Sequence, residues 1–316
     1  MLLEISQELK DKLEYMDEKL QASHGQWHER IQSVRATFES GGVRLHAMKA
    51  WPGEDINNWL NDRGLGAVDG SVNQAGAEPP HVIYFFQALA MMMNRRQYES
   101  SDIYIPLIEE DDEEEWKTAR STRMASLELE TARRMIVEEK PGLVMMDGSL
   151  MHYRIEASES WAALRETALA QGVYLIGVSE EVGTRYLADW PPIAPHAAGL
   201  TYDKDILFGV LKPSEWLYLA EAQQKEELET VWMRASSDPA ITGVDILKEQ
   251  AEQLPAIMDI VYSFTPQESR GIPLPLDLVD KNVRITNQMV ETLVEQYISP
   301  DFRYRFFRAK REDRIF

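Results

Sequence analysis

Apolar residues recur every three or four positions through the first forty: Leu2, Ile5, Leu9, Leu13, Met16 and Leu20, then Trp27, Ile31, Val34 and Phe38. Glu, Lys and Asp fill the gaps, a pattern that predicts amphipathic helix. Gly41-Gly42 ends it. Residues 1–42 therefore read as a long N-terminal helical arm, suited to a coiled coil or interface and equally to folding onto its own domain, 43–316.

From about Asn61 the period changes. Gly64-Leu65-Gly66-Ala67-Val68 predicts a short strand ending in the turn Asp69-Gly70-Ser71. His81-Val82-Ile83-Tyr84-Phe85-Phe86 predicts the next strand, and Ile103-Tyr104-Ile105-Pro106-Leu107-Ile108 one at a sheet edge, because of its proline. Ser121 to Glu139 reads as helix, with Met124, Leu127, Ala132 and Ile136 as its apolar stripe. Leu143-Val144-Met145-Met146 predicts a buried strand, Ser158 to Gln171 a helix, and Val173 to Val178 another buried strand. Ile206 to Leu211 and Ile257 to Tyr262 are weaker strand candidates, and Asp277 to Tyr297 a long closing helix. Strands alternating with helices predict an α/β core.

The informative coincidence is a repeat. Asp69-Gly70-Ser71 and Asp147-Gly148-Ser149 both follow apolar strands. Strand ends are where α/β sheets present functional side chains, and carboxylates are natural ligands for Mg²⁺ or Mn²⁺. Two such aspartates plus a helix carboxylate would suit a metal pair for phosphodiester hydrolysis. The same tripeptide is also plain turn chemistry, and an actin-like ATPase places strand-turn aspartates similarly.

Composition narrows this. The chain has 316 residues, 44% of them hydrophobic, enough for one large domain or two modest ones. No apolar run approaches the roughly 20 residues that span a bilayer. Met1-Leu2-Leu3-Glu4-Ile5 turns polar at once, unlike a signal peptide. There is no cysteine, which excludes disulfides, thiolate metal sites and a cysteine nucleophile. A soluble cytoplasmic protein is expected. The net charge of -20 argues against coating nucleic acid by bulk electrostatics, but not against cutting it with metal ions or a partner present. The acidic run Glu109 to Glu115 reads as a solvated segment rather than a site.

In the order of its elements the chain resembles the NurA family of DNA-end-processing nucleases, with an RNase H-like mixed sheet flanked by helices. The resemblance rests on Val68-Asp69-Gly70-Ser71, Leu127-Glu128-Leu129-Glu130-Thr131-Ala132, Met146-Asp147-Gly148-Ser149-Leu150, Leu175-Ile176-Gly177-Val178-Ser179 and Gly271-Ile272-Pro273-Leu274-Pro275-Leu276. It implies that Asp69, Glu128, Asp147 and Asp280 hold catalytic Mn²⁺ or Mg²⁺ in a two-metal mechanism on DNA, during end resection and repair. It also implies a homodimer docked on a HerA-type hexameric ATPase, in keeping with the lack of a Walker motif. Glu128 is favoured, with Glu130 its rival. Three positions depart from the family pattern: Glu180 where a Lys is usual, Ile272 where a Tyr is usual, and Asp280 in place of a His. An aspartate at 280 can still bind a hard divalent cation, but Glu180 and Ile272 leave open a degenerate subunit that binds the motor or DNA without cutting; an actin-like phosphotransferase is the third reading.

Other candidates are slighter. His24 and His28, four apart, lack the glutamate of a zinc-protease motif and read as surface residues; His152 lies just past Asp147. The tail Arg303 to Arg311 interleaves aromatics and Arg, suiting single-stranded nucleic acid or packing against carboxylates.

Overall fold

The computed structural model describes residues 6–41, 43–94, 96–109, 113–197, 199–220 and 226–307. Leu2, Ile5, Gly42, Arg95, Glu110 to Asp112 and the tail from Arg308 onward therefore lie outside the described residues.

Among the described residues, nine strands form one mixed sheet: β1 (Leu45–Ala47), β2 (Leu65–Gly76), β3 (Val82–Met92), β4 (Gln97–Tyr104), β5 (Leu143–Asp147), β6 (Tyr174–Ser179), β7 (Glu215–Leu217), β8 (Leu228–Arg234) and β9 (Thr242–Leu247). Their spatial order is β1-β7-β8-β9-β6-β5-β2-β3-β4. In β4-β3-β2-β5-β6, the first three strands are antiparallel and the last two run parallel to β2. That is the RNase H-like unit. β9, β8, β7 and β1 extend it antiparallel on the far side of β6.

The helices are α1 (Gln7–His24), α2 (Trp27–Ser40), α3 (Gly53–Trp59), α4 (Pro106–Glu109), α5 (Glu113–Glu139), α6 (Leu150–Glu156), α7 (Ser158–Gln171), α8 (Ala194–Ala197), α9 (Asp203–Leu207), α10 (Leu254–Ser263), α11 (Leu274–Val283), α12 (Asn287–Tyr297) and α13 (Pro300–Phe302). Because strand side chains alternate between faces, β2 and β5 feed two cores. Val68 and Met146 pack with Leu129, Met135, Trp161 and Leu164 of α5 and α7. Ala67 and Met145 pack with Ile257, Val261, Leu276 and Val279 of α10 and α11. At the start of these strands the Arg63 guanidinium donates to the carbonyls of Lys140, Pro141, Gln171 and Gly172, at 2.6–3.0 Å. One side chain so ties β2 to the entries of β5 and β6.

Several expected elements differ. The arm is two helices, broken at Gly25-Gln26, not one. α2 buries Val34 and Phe38 under Leu187, Ile193 and Trp232, whereas α1 buries nothing. The edge strand is Gln97–Tyr104, and Pro106 opens a helical turn instead of extending it, since proline suits the first helical position. Ile206–Leu211 is not a strand: Ile206 and Leu207 end α9 and Gly209 turns the chain at φ +72°. Ile257–Tyr262 lies within α10, started by Pro255. Short apolar runs do not separate the two periods. The closing helix is also two, α11 and α12, because Thr286 caps α12 by accepting from the Met289 N–H at 3.3 Å.

Candidate active site

β2 and β5 run side by side, with Val68 opposite Met146 as their last paired position. Asp69 and Asp147 are the next residues of the two strands. They stand abreast, on strands about 4.8 Å apart. The two-residue period that turns Ala67 and Met145 toward α11 turns these aspartates the same way. α11 carries Asp280 four residues after buried Leu276 and next to buried Val279, and the Asp280 charge acts on both strand aspartates.

The first Asp-Gly-Ser is not a turn. β3 pairs with β2 continuously from Gly66 to Gly76, so Asp69, Gly70 and Ser71 stay in the ladder opposite Leu89, Ala88 and Gln87. A complete antiparallel ladder overrides the local turn preference. The second copy does turn, with Gly148 at φ +102°, a conformation glycine adopts without Cβ strain. Ser149 then caps α6, its Oγ accepting from the Met151 N–H at 3.2 Å.

Glu128 arrives from the opposite face of the sheet. α5 buries it, whereas Glu130 is exposed. Its carboxylate lies over Gly70, where a Cβ would overlap Glu128 Oε1 and Met124 Cε. It shares its surroundings with the buried phenol of Tyr153, whose hydroxyl donates to the Asp147 carbonyl at 2.8 Å.

Burial and mutual repulsion dominate the electrostatics. Desolvation, then the charges of Asp147 and Asp280, push the Asp69 carboxyl up to about 7, against a hydrogen bond from the Gly70 N–H at 2.7 Å. Desolvation and Asp280 push Asp147 up to about 6, with Arg270 pulling the other way. Burial and Asp69 hold Glu128 well above the usual carboxylate range, and burial and Glu128 hold the Tyr153 phenol above its own.

Three features here escape the sequence pattern. Arg270 donates to Glu180 Oε2 at 2.7 Å and to Asp277 Oδ1 at 2.8 Å. It thereby brings a cation toward Asp147, beside Glu180. Tyr153 had one legible signal, its three-residue spacing from Leu150 at the start of a helix. Ser71 Oγ accepts from the Ile285 N–H at 3.0 Å, and the Asn73 amide donates to the Ile285 carbonyl at 3.0 Å. These bonds pin the α11–α12 junction, and so Asp280, to β2. Ile272 is buried in the core beneath α11 and presents no polar group.

The carboxylates surround the strand ends without closing on one point: among the described residues no three His, Asp or Glu side chains converge closely enough to hold a metal ion together. Their chemistry fits such an ion nonetheless. The donors are all oxygen, the choice of hard divalent cations, and a cation would relieve the repulsion that raises Asp69 and Asp147.

The remaining candidates lie elsewhere. His24 ends α1 and His28 lies in the first turn of α2, its ring tilted against that of Trp27 with centroids 3.6 Å apart. His152 is exposed and meets the Tyr153 ring edge-on at 5.9 Å. Of the acidic run, Glu109 pairs with Arg123 at 3.2 Å. In the described part of the tail, Arg305 lies over Phe306 at 4.8 Å and Tyr304 is exposed. No helix among the described residues is long and apolar enough to cross a membrane.

Residues 63–285 match the family model described as the NurA domain. No curated protein matches the chain. Among solved structures, the chain is similar to the NurA nuclease from Sulfolobus solfataricus, at TM-score 0.62 and 15% identity over 92% of this chain and 96% of that one. A second structure, described as NurA, aligns at TM-score 0.53 and 9% identity over 94% and 99% of the respective chains.

Proposed function

The chain belongs to the NurA family, and on that premise we propose that it is a nuclease that hydrolyses DNA phosphodiester bonds with Mn²⁺ or Mg²⁺ held by Asp69, Glu128, Asp147 and Asp280. The observation that carries the reading is the placement of Asp69 and Asp147 abreast on adjacent strands, with Glu128 over Gly70 on one side and Asp280 on the other. Divalent ions held there would supply a water of lowered pKa and charge stabilisation for the leaving oxygen. The protein's own part is positional. Rigid strands hold two carboxylates, Tyr153 holds the Asp147 carbonyl beside the buried Glu128, and Arg270 sets the charge balance beside Asp147.

Affinity for DNA must come largely from those ions or from another protein, because the chain carries a net charge of -20. The reading therefore includes a HerA-type hexameric ATPase as the strand-opening partner, a homodimer as the docking unit, and DNA end processing as the role. The exposed Leu9, Leu13, Met16 and Leu20 along α1 suit protein contacts of that kind.

A second reading, a subunit that binds without cutting, is favoured by Ile272, which buries an aliphatic side chain where a phenol is usual in the resemblance. One experiment separates the two. Single- and double-stranded DNA are incubated with the full chain in Mn²⁺, Mg²⁺ or EDTA, with and without the ATPase, beside Asp69→Asn. Cutting that needs metal and vanishes in the variant supports the enzyme. Intact DNA in every arm supports the binding subunit.

A further inference from the structure

α1 buries no residue, although it carries a run of large apolar side chains. Leu9, Leu13, Met16 and Leu20 are 51–62% exposed and follow one another at intervals of four, three and four. That is the a/d spacing of a seam between two helices. α2 repeats the spacing and finds its cover in the domain, where Val34 and Phe38 are buried. α1 finds none there.

The charged residues of α1 sort around this seam. With Leu13 and Leu20 at a, and Leu9 and Met16 at d, all three lysines, Lys10, Lys12 and Lys19, fall at e and g beside it. Glu8, Asp11, Glu14 and Glu18 fall at b, c and f, facing away, and only the carboxylate of Asp17, at e, flanks the seam. Two copies of a chain with a net charge of -20 repel each other. This sorting keeps carboxylates from facing one another across the seam and lays lysine stems along it. In a parallel pair, Lys12 at g of one copy meets Asp17 at e of the other, twice because of the twofold axis. The antiparallel pair that matches all four apolar layers sets Leu9 against Leu20 and Leu13 against Met16. It joins Lys10 to Asp17 but sets Lys12 against Lys19. Within its own helix Lys12 pairs with Glu8 at 2.6 Å, and Asp17 accepts from Gln21 at 2.6 Å. These are exposed contacts between neighbouring turns, and sharing them costs little.

We propose that α1 pairs with the α1 of a second copy of this chain as a parallel two-stranded coiled coil. Leu9, Leu13, Met16 and Leu20 of the two copies meet layer by layer, and Lys12 and Asp17 bridge the seam on both sides. Two heptads make a short seam, so the dimer is reversible and depends on concentration. The pairing gives the homodimer of the functional reading its interface and rests on that part of it, but it needs neither metal nor DNA.

The test follows the full chain by sedimentation equilibrium over about a hundredfold range of concentration. The mass is expected to rise from 36.3 kDa toward twice that value, and Leu13→Glu combined with Met16→Glu should hold it at the monomer. Both side chains are exposed in the single chain, so the variant keeps its fold, which circular dichroism checks. The direction is read from disulfides, since the chain has no cysteine of its own. Leu13→Cys faces itself across a parallel seam and should cross-link on mild oxidation, faster than the outward-facing Glu18→Cys. An antiparallel pair would cross-link only a mixture of Leu13→Cys and Met16→Cys. A monomer at every concentration, a dimer that survives the double variant, or Leu13→Cys linking no faster than Glu18→Cys would overturn the proposal, as would linking confined to the mixture. A surviving dimer would leave the homodimer reading standing on another interface. DNA cutting, measured separately, decides the nuclease reading in every case.

Discussion

The Glu128 carboxylate occupies the space that any side chain on residue 70 would fill. A Cβ on Gly70 would overlap Glu128 Oε1, so the helix carboxylate reaches the strand aspartates across a backbone kept bare. The glycine of the first Asp-Gly-Ser serves this approach rather than a turn.

Gly70→Ala should therefore act through Glu128. Overpacking at such a site costs about 1–3 kcal/mol, so the variant should fold with a lowered Tm. Its cleavage should fall by about tenfold or more, with a raised Mn²⁺ requirement. Gel-based cleavage across a Mn²⁺ titration, beside a melting curve, reads both. A rate equal to wild type would mean that Glu128 takes no part.

Asp69 links the site to pH. Its carboxyl rises from an ordinary 3.8 to about 7 in the folded chain, so the folded state holds the proton more tightly than the unfolded one. The stability this confers is complete below about 4 and is lost as pH rises through about 7. In EDTA, Asp69→Asn should then be more stable than wild type at pH 8, and the gap should narrow as pH falls through 7 toward 4. Adding Mn²⁺ at pH 8 should raise the Tm of wild type and leave the variant unmoved. Paired melts at three pH values check the sign.

Arg270 offsets the repulsion on Asp147. Arg270→Gln should push the Asp147 carboxyl higher and move the acidic limb of the cleavage pH profile upward. Stability should change little, because the Arg270 side chain is 51% exposed and exposed pairs contribute about 0–1 kcal/mol. A profile identical to wild type would remove Arg270 from the site.

The bidentate pair of Arg35 with Glu215, at 2.8 and 3.0 Å, ties α2 to β7. Burial alone would raise the Glu215 carboxyl, but the hydrogen bonds and charge of Arg35 and the Lys212 N–H hold it below its ordinary 4.5. This contribution is present above about 4.5 and is lost as pH falls through the folded value. Glu215→Gln should cost about 1–3 kcal/mol at pH 7 and progressively less below pH 4. Urea unfolding at the two pH values measures it, and a constant difference would refute it.

How much was legible differs by element. The strands Leu143–Asp147 and Tyr174–Ser179 are buried on both faces and read as unbroken apolar runs, so their existence and the aspartate after Met146 were plain. The run Ile257–Tyr262 is as apolar but helical, and only the packing of α10 on the sheet decides that. β8 and β9 went unrecognised because Thr230 and Asp245 interrupt their apolar pattern, and these two residues satisfy each other only once the strands pair.

The sequence alone determined the α/β alternation, the two aspartates after apolar strands, and the family resemblance, because local period and residue order are properties of the chain. Only the tertiary structure decided that Asp69 stays within its strand abreast of Asp147, that Glu128 rather than Glu130 turns inward, and that Arg270 stands beside Asp147. These are relations between residues far apart in sequence, set by strand register and by which face of a helix is buried. No local pattern encodes them, since each depends on what the rest of the chain packs against it.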